Sequence, residues 1–368
     1  MDQKSDGNRR FIALLAAALL VLTVTLTYPR RPASGGTVAA MGAVAALEPM
    51  QAAGNTSARV VPLGRTVGIK LLSDGVLVVG MTDVATERDS VSPAREMGLK
   101  VGDVITGVND REIDTIEQMQ EAIGALAGEE MTLHVQREDR QLELSGAAVA
   151  SQQGDYRLGA WIRDSMAGIG TMTFYDPDTG SFAALGHGIN DVDTARLMTL
   201  QSGTIMPSTV TGVKKGRSGV PGELRGTFDL QRDLGALSAN TNAGIFGVLN
   251  GADDYVGGEA VEVARRGQVK TGPATILSNV TGDEVKEYQV EIVHLYPATA
   301  DKMRNLMLQV TDPELLNLTG GIVQGMSGSP ILQNGRLVGA VTHVLVNDPT
   351  RGYGILAETM LDTADTIA

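Results

Sequence analysis

The sequence predicts a mainly β chain: a membrane-length apolar segment, then one α+β module, then two small β-barrels. Three observations carry this reading. Glycine is abundant (45 residues) and aromatic residues make up only 4%, a composition that suits short strands joined by tight turns. From about residue 151 to the end, short apolar runs alternate with Gly, Asp-Pro and Asn-Gly turn signals, with no long amphipathic helix among them. That stretch of roughly 215 residues suits two packed six-stranded barrels. Near the N-terminus, an uninterrupted apolar run extends from Phe11 to Tyr28.

That run follows Lys4, Arg9 and Arg10 and is stopped by Pro29, Arg30 and Arg31. Eighteen residues at about 1.5 Å each give about 27 Å, enough to span the core of a bilayer. No small-x-small cleavage site follows directly, so residues 1–31 are expected to be an uncleaved signal anchor rather than a cleaved signal peptide. The basic residues bias the N-terminus to the inside, and the bulk of the chain is expected outside the cytoplasm. Residues 32–56, rich in Ala and Gly, read as a linker.

With 43% apolar and 20% charged residues, the chain can bury a core. Its net charge of −13 argues against nucleic acid as a partner, because phosphate binding needs a positive surface. The absence of cysteine excludes disulfides and thiolate metal sites. No metal and no cofactor is expected.

Residues 57–149 have the pattern of one α+β module. The runs "VGIKLL" and "GVLVVGM" read as strands. A short helix ends at Gly98, a turn follows at Val101–Asp103, and "VITGVND" is a strand into a turn. In "TIEQMQEAIGALAG", Ile116, Met119, Ile123 and Leu126 recur at spacings of three and four, an amphipathic helix stopped by Gly128. The succession resembles a PDZ domain, most specifically in the string from Ala94 to Ile105. The resemblance implies that a peptide adds as a strand and lies against the long helix. The expected peptide-binding residues are Leu63, Gly64, Gly68 and Ile69 of the loop "LGRTVGI", with Met119 and Ile123 of the helix. A charge at Ile69 is expected to block the peptide.

In the remaining 150–368, "GMSGSP" (Gly325–Pro330) is the most informative stretch. It resembles the nucleophile turn of chymotrypsin-like serine peptidases. A sharp turn can aim the N–H groups of Gly325 and Ser327 at one spot, where a carbonyl oxygen becomes negative during attack. Glycine permits that backbone. The residue before the serine is Met326, so activation by pairing an Asp there with a newly made N-terminus is not available. Ser327 needs a base. Of the four histidines, His134 falls in a strand of the α+β module and His294 alternates with apolar neighbours. His343 follows the serine too closely for chymotrypsin-like order. His187, between two glycines and 140 residues before the serine, fits that order. Its pKa is expected at about 6.5 to 7. Asp312, Asp191, Asp193, Asp229 and Asp348 are candidates for the carboxylate, and spacing does not choose among them.

The pairing of "LGHGIND" with "TDPELLNLTGGIVQGMSGSPILQNGRLVGAVTHVLVNDPTRGYGI", behind a PDZ-like module, resembles the SpoIVB peptidase family, the stage IV sporulation protein B. The resemblance implies His187 as base, Ser327 as nucleophile and Asp312 as acid, with Asp312 only fifteen residues before the serine. It also implies a place in the forespore inner membrane, facing the space between the two membranes. There such enzymes cleave a regulatory membrane protein, which releases a metalloprotease to process a sigma-factor precursor, and they cut themselves near the N-terminus. The competing expectation is a non-catalytic PDZ adaptor whose protease-like domain is a binding surface.

Overall fold

The computed structural model describes residues 58–251, 255–297 and 303–367. The expected anchor and linker lie outside these residues. Among the described residues no helix is long and apolar enough to cross a membrane.

Two long strands organise half of the molecule. Thr66–Met81 and Ala160–Tyr175, sixteen residues each, pair antiparallel along most of their length, from Met81 opposite Ala160 to Thr66 opposite Thr171. Their facing ends belong to different cores. At one end Val76–Met81 and Ala160–Arg163 join Val104–Val108, Glu130–Arg137 and Arg140–Ala147 in one sheet. Helix Ile116–Leu126 covers this sheet. Its N-terminus is closed by a capping box between Thr115 and Gln118, and its C-terminus by Ala127 and Gly128 at φ 50° and 89°. Met119, Ala122 and Ile123 are the residues it buries, close to the expected apolar stripe.

At the other end the same two strands close a barrel. Thr66–Leu72 pairs with Ser165–Thr171 on one edge and with Ser202–Pro207 on the other. The ring continues through Ser181–Ala184, Gly244–Leu249 and Gly235–Thr241 back to Ser202–Pro207. This is one of the two expected six-stranded barrels, but it recruits residues 66–72 from ahead of the α+β module. The boundaries 57–149 and 150–368 therefore need correction, because the α+β module is inserted between the first and second strands of this barrel. A strand with two faces and two edges can serve two cores along its length, and periodicity carries no mark of where the change occurs.

The second barrel is closed by Gly272–Ser278, Lys286–Leu295, Leu306–Val310, Asp348–Leu356, Arg336–Leu345 and Pro330–Gln333. One element departs from the sequence reading. Residues Ala357–Ile367 form a helix that buries Ala357, Met360 and Leu361 in a cluster shared with Phe174 and Phe246 of the first barrel and Leu337, Ala340 and Ile355 of the second. Three threonines and three acidic residues in "AETMLDTADTI" weaken the propensity signal, and packing of one face makes the helix.

Candidate active site

The turn around Ser327 is built by contacts that leave no room for side chains at its glycines. Gly328 has φ 99°, and a Cβ there would lie 1.9 Å from the carbonyl oxygen of Thr171. Gly325 has φ 97°, with Leu224 against it. Thr171, on the long strand Ala160–Tyr175, holds the turn twice. Its N–H donates to Ser327 O at 2.9 Å and its Oγ1 donates to Gly325 O at 2.7 Å. Within the turn the N–H groups of Met326, Gly328 and Ser329 donate to Val323 O, Val341 O and Met326 O. Among the described residues those of Gly325 and Ser327 donate to no backbone acceptor, as an oxyanion hole requires.

His187 comes from the first barrel, just after strand Ser181–Ala184. Gly186, at φ 68°, turns the chain tightly beneath Ile355 and Thr342. The Nδ1 of His187 lies 2.8 Å from Gly188 O. A carbonyl oxygen only accepts, so Nδ1 carries the proton and Nε2 keeps the lone pair that a base needs. His187 and Ser327 line one cavity of about 510 Å³, together with Gly325 and His343. Ser327 Oγ donates to Thr342 O at 2.7 Å, so in this arrangement its proton faces that carbonyl. The His343 ring is tilted against that of His187, centroids 4.8 Å apart, a neighbour that chain order alone set aside.

Burial pushes the His187 pKa below 6.5, and the bond to Gly188 only partly opposes this. The expectation of an unperturbed or slightly raised base is thereby corrected. The expected acid, Asp312, is engaged in a helix cap. Asp312 is the N-cap of helix Pro313–Thr319: Oδ1 accepts from Leu315 N at 3.0 Å and Oδ2 from Gln289 N at 3.2 Å. The fifteen-residue spacing is the length of this helix and of the glycine turn at Gly320–Gly321 leading to Ser327. None of the five candidate carboxylates hydrogen-bonds His187 among the described residues. Asp191 is buried, accepts from Thr194 and Asp193 backbone N–H, and pairs with Arg163. Burial works against its charge, but the bonds from Thr194 and Arg163 outweigh it and hold the carboxyl below its usual range. Asp193 pairs with the same arginine at 2.7 Å. Asp229 and Asp348 accept from their own loops, at Gln231 N and Thr350 N. The group that fixes His187 is thus a backbone carbonyl, and Asn240 braces the adjoining residue by bonding Ile189 N at 2.8 Å and Ile189 O at 3.0 Å.

Most of the expected peptide-binding residues are not in the α+β module. Leu63 and Ile69 are buried in the first barrel, at 7% and 4% exposure. Ile69 is paired on both edges, to Gly168 and Ile205, so no peptide can add there. Gly64 packs on Leu277, and Gly68 on Phe228 and Met206. Met119 and Ile123 are where the sequence put them, buried on the helix. The strand beside that helix is Ala160–Arg163. It pairs with Leu77–Met81 on one edge only, and Ile116 N donates to Asp164 Oδ2 at 2.9 Å. The missed signal is Leu158-Gly159-Ala160-Trp161, a leucine-glycine pair ahead of a strand, with Gly159 at φ 78°. The loop "LGRTVGI" precedes the module, whereas this strand follows residue 149.

Residues 154–361, more than half of the chain, match the SpoIVB peptidase S55 family. The chain belongs to this family. A second match, over residues 84–137, is to the PDZ domain. The molecule is therefore a PDZ-containing serine peptidase, and both His187 and Ser327 fall inside the peptidase match. Strand Thr66–Leu72 falls outside both matches. No curated protein matches the chain. Among solved structures, the HtrA-type protease AlgW with a decapeptide is similar over 83% of this chain and 65% of its own, just short of two thirds, at 9% identity and TM-score 0.34. An inactive form of the protease Rv3671c, from M. tuberculosis H37Rv, is similar over 55% of this chain and 85% of its own, at 14% identity and TM-score 0.29. The PDZ domain of an SdrC-like protein from Listeria monocytogenes covers 24% of this chain and 87% of its own, at 19% identity and TM-score 0.20.

Proposed function

We propose that this peptidase is a membrane-tethered serine endopeptidase in which Ser327 is the nucleophile and His187 the general base. The observation that carries the reading is the shared cavity, which holds Ser327 next to a histidine whose Nδ1 is already occupied by Gly188 O. In the reaction His187 Nε2 takes the Ser327 proton as Oγ bonds to the substrate carbonyl carbon. The carbonyl oxygen becomes an oxyanion and accepts from Gly325 N–H and Ser327 N–H. The proton on Nε2 then passes to the leaving amine as the peptide bond breaks. Water attacks the acyl-enzyme by the same route in reverse, with His187 again as base.

The PDZ unit takes an extended peptide between strand Ala160–Arg163 and helix Ile116–Leu126, where one strand edge is open. That strand runs on to Thr171, which braces the Ser327 turn, and its Arg163 holds the loop after His187. Peptide binding at one end of the strand thus bears on both catalytic segments.

The chain acts in sporulation signalling, outside the cytoplasm, held by the apolar run Phe11–Tyr28. Its substrate is a membrane protein that restrains a sigma-factor-processing metalloprotease, and it cuts itself near the N-terminus. The family membership and the peptide-binding fold support this reading. The test is to incubate the full chain and Ser327→Ala with extracytoplasmic loops of candidate membrane proteins and to identify fragments by mass spectrometry. Fragments made by the wild type and absent with Ser327→Ala are expected. No such difference, together with no labelling of Ser327 by a fluorophosphonate probe, rejects the proposal.

A further inference from the structure

One loop of the first barrel departs from the acidic character of the chain. Strand Ser202–Lys214 leaves the barrel, and its partner Glu223–Phe228 returns to it. The loop between them is pinned to the second barrel. Gly216 N–H donates to Thr319 O at 2.8 Å, Gly219 N–H to Val346 O at 2.8 Å, and Ser218 Oγ to Asn347 O at 2.9 Å. The fixed loop presents Lys214, Lys215 and Arg217, all exposed. Among the described residues these three make no ion pair. The acids nearby are already matched: Glu223, opposite Lys214, is held by Arg225 at 2.8 Å, and Asp348 lies 3.6 Å from Arg351. Three exposed cations, of which Lys214 shares the field of Glu223 with Arg225, therefore stand together on a chain of net charge −13.

Their position connects them with the cleft. Pro221 and Val346, on the same pinned rim, line the cavity that holds Ser327 and His187. Among the described residues no Asp, Glu, Lys or Arg lines that cavity, so its charge preference is set at the rim. The loop that carries the three cations is thus joined to the rim of the cleft through Pro221 and the Gly219–Val346 bond.

We infer that Lys214, Lys215 and Arg217 form an exosite for acidic residues flanking the scissile bond of the substrate. The inference rests on the peptidase reading above and names a substrate class for it. Exposed charge pairs are individually weak, so the three together are expected to change kcat/KM by about tenfold at low salt. The contact is remote from the reacting atoms and equal in ground and transition states, so the change falls in KM and not in kcat.

The test uses the full chain in detergent and a proteome-derived peptide library, with cut sites read by mass spectrometry. Wild type is expected to cut bonds with Asp or Glu enriched on one side. The charge-reversed K214E/K215E/R217E is expected to prefer Lys or Arg at the same positions, and K214Q/K215Q/R217Q to show neither preference. Two peptides are then made from the strongest site, one with its acids and one with Asn and Gln in their place. Wild type should separate them about tenfold in KM at about 50 mM salt and hardly at all at about 0.5 M. Cleavage of the neutral peptide by all three proteins at similar rates verifies that the variants are folded. If wild type and both variants cut the library with the same preferences, the inference is overturned while the peptidase reading stands. It is equally overturned if the variants differ from wild type only in binding to vesicles of anionic lipid, since the loop then serves a bilayer. If wild type cuts nothing that Ser327→Ala does not, the peptidase reading fails and the exosite with it.

Discussion

Each barrel contributes one half of the proposed catalytic pair, and the two barrels are assembled differently. The second is continuous: its six strands run from Gly272 to Leu356 and carry the Ser327 turn between two of them. The first is discontinuous. Its opening strand, Thr66–Leu72, pairs with Ser165–Thr171 across the whole inserted PDZ unit. Closing so long a loop costs entropy that a nearby pairing does not, and the folded PDZ unit removes most of that cost by bringing the two strands together. The difference predicts that His187 depends on the PDZ unit for its position, whereas the barrel around Ser327 can form without it. The long strand Ala160–Tyr175 is where the dependence is transmitted, through Arg163 to the His187 loop and through Thr171 to the Ser327 turn.

The first prediction asks whether the two halves act as one unit. Ser327→Ala is expected to lower kcat by about 10⁶ with no loss of thermal stability, and His187→Ala by a similar factor. The double variant should be no slower than either single one. Additive losses would mean that the two barrels contribute separately.

Next in size is a break in the PDZ core. Ile105 is fully buried there, and Ile105→Asp should cost about 3 to 5 kcal/mol. In hydrogen exchange the amides of Ile69 and Ile205, and of the segment before His187, should lose protection with the PDZ unit. Those of Ile276, Leu308 and Val341 should keep it. Equal loss in both barrels would refute the contrast drawn here.

Arg163→Ala is expected to cost about 3 kcal/mol, because it strands the buried Asp191 without its cation. The lost activity should track the His187 loop, so that fluorophosphonate labelling slows while the Ser327 barrel keeps its exchange protection.

A smaller effect separates two roles for Asp312. As a helix cap, Asp312→Ala should destabilise by about 1 kcal/mol, and Asp312→Ser should restore most of that. As the acid of a triad, Asp312→Asn and Asp312→Ser would both reduce kcat by about 10⁴ with little change in stability. Steady-state rates beside thermal melts decide between them.

The smallest effect is in pH. Burial lowers the His187 pKa, so its neutral, basic form persists to lower pH than in an exposed histidine. Peptidase activity should therefore fall through a midpoint below pH 6.5. The folded state keeps the neutral form more strongly than the unfolded chain does. The contribution of His187 to stability is thus retained above the unfolded pKa and lost as pH falls below it. The pH–kcat/KM profile reports the free enzyme, so a midpoint above 6.5 there would overturn the lowered pKa of His187.

Where the sequence was legible, the reason was local. Helix Ile116–Leu126 has its stripe and its stop within thirteen residues; Met119 and Ile123 of the stripe are buried and Gly128 follows the last turn. The Ser327 turn announces itself because Gly325 and Gly328 must adopt positive φ, which few other residues tolerate. Hairpin Pro330–Leu345 is marked by Asn334-Gly335, both at positive φ. The illegible parts depend on strand pairing. "LGRTVGI" and Leu158–Ile162 offer similar local chemistry, and only the register of Thr66–Met81 against its neighbours assigns one to the barrel and the other to the PDZ edge. Asp312 stood in the sequence only as a candidate acid, because nothing local marks where its carboxylate is bonded. Its bonds to Leu315 and Gln289 make it a cap.

By itself, then, the sequence determined the conformations that a few consecutive residues fix through their own dihedral preferences: the glycine turn, the capped helix, the short strands. The tertiary structure decided which distant groups meet. Ser327 and His187 are 140 residues apart, and Thr171 and Arg163 reach them from a third segment. Such meetings are set by edge pairing and by the packing of two cores against one strand. Those energies are shared by many residues on both sides, and no single stretch of sequence carries them.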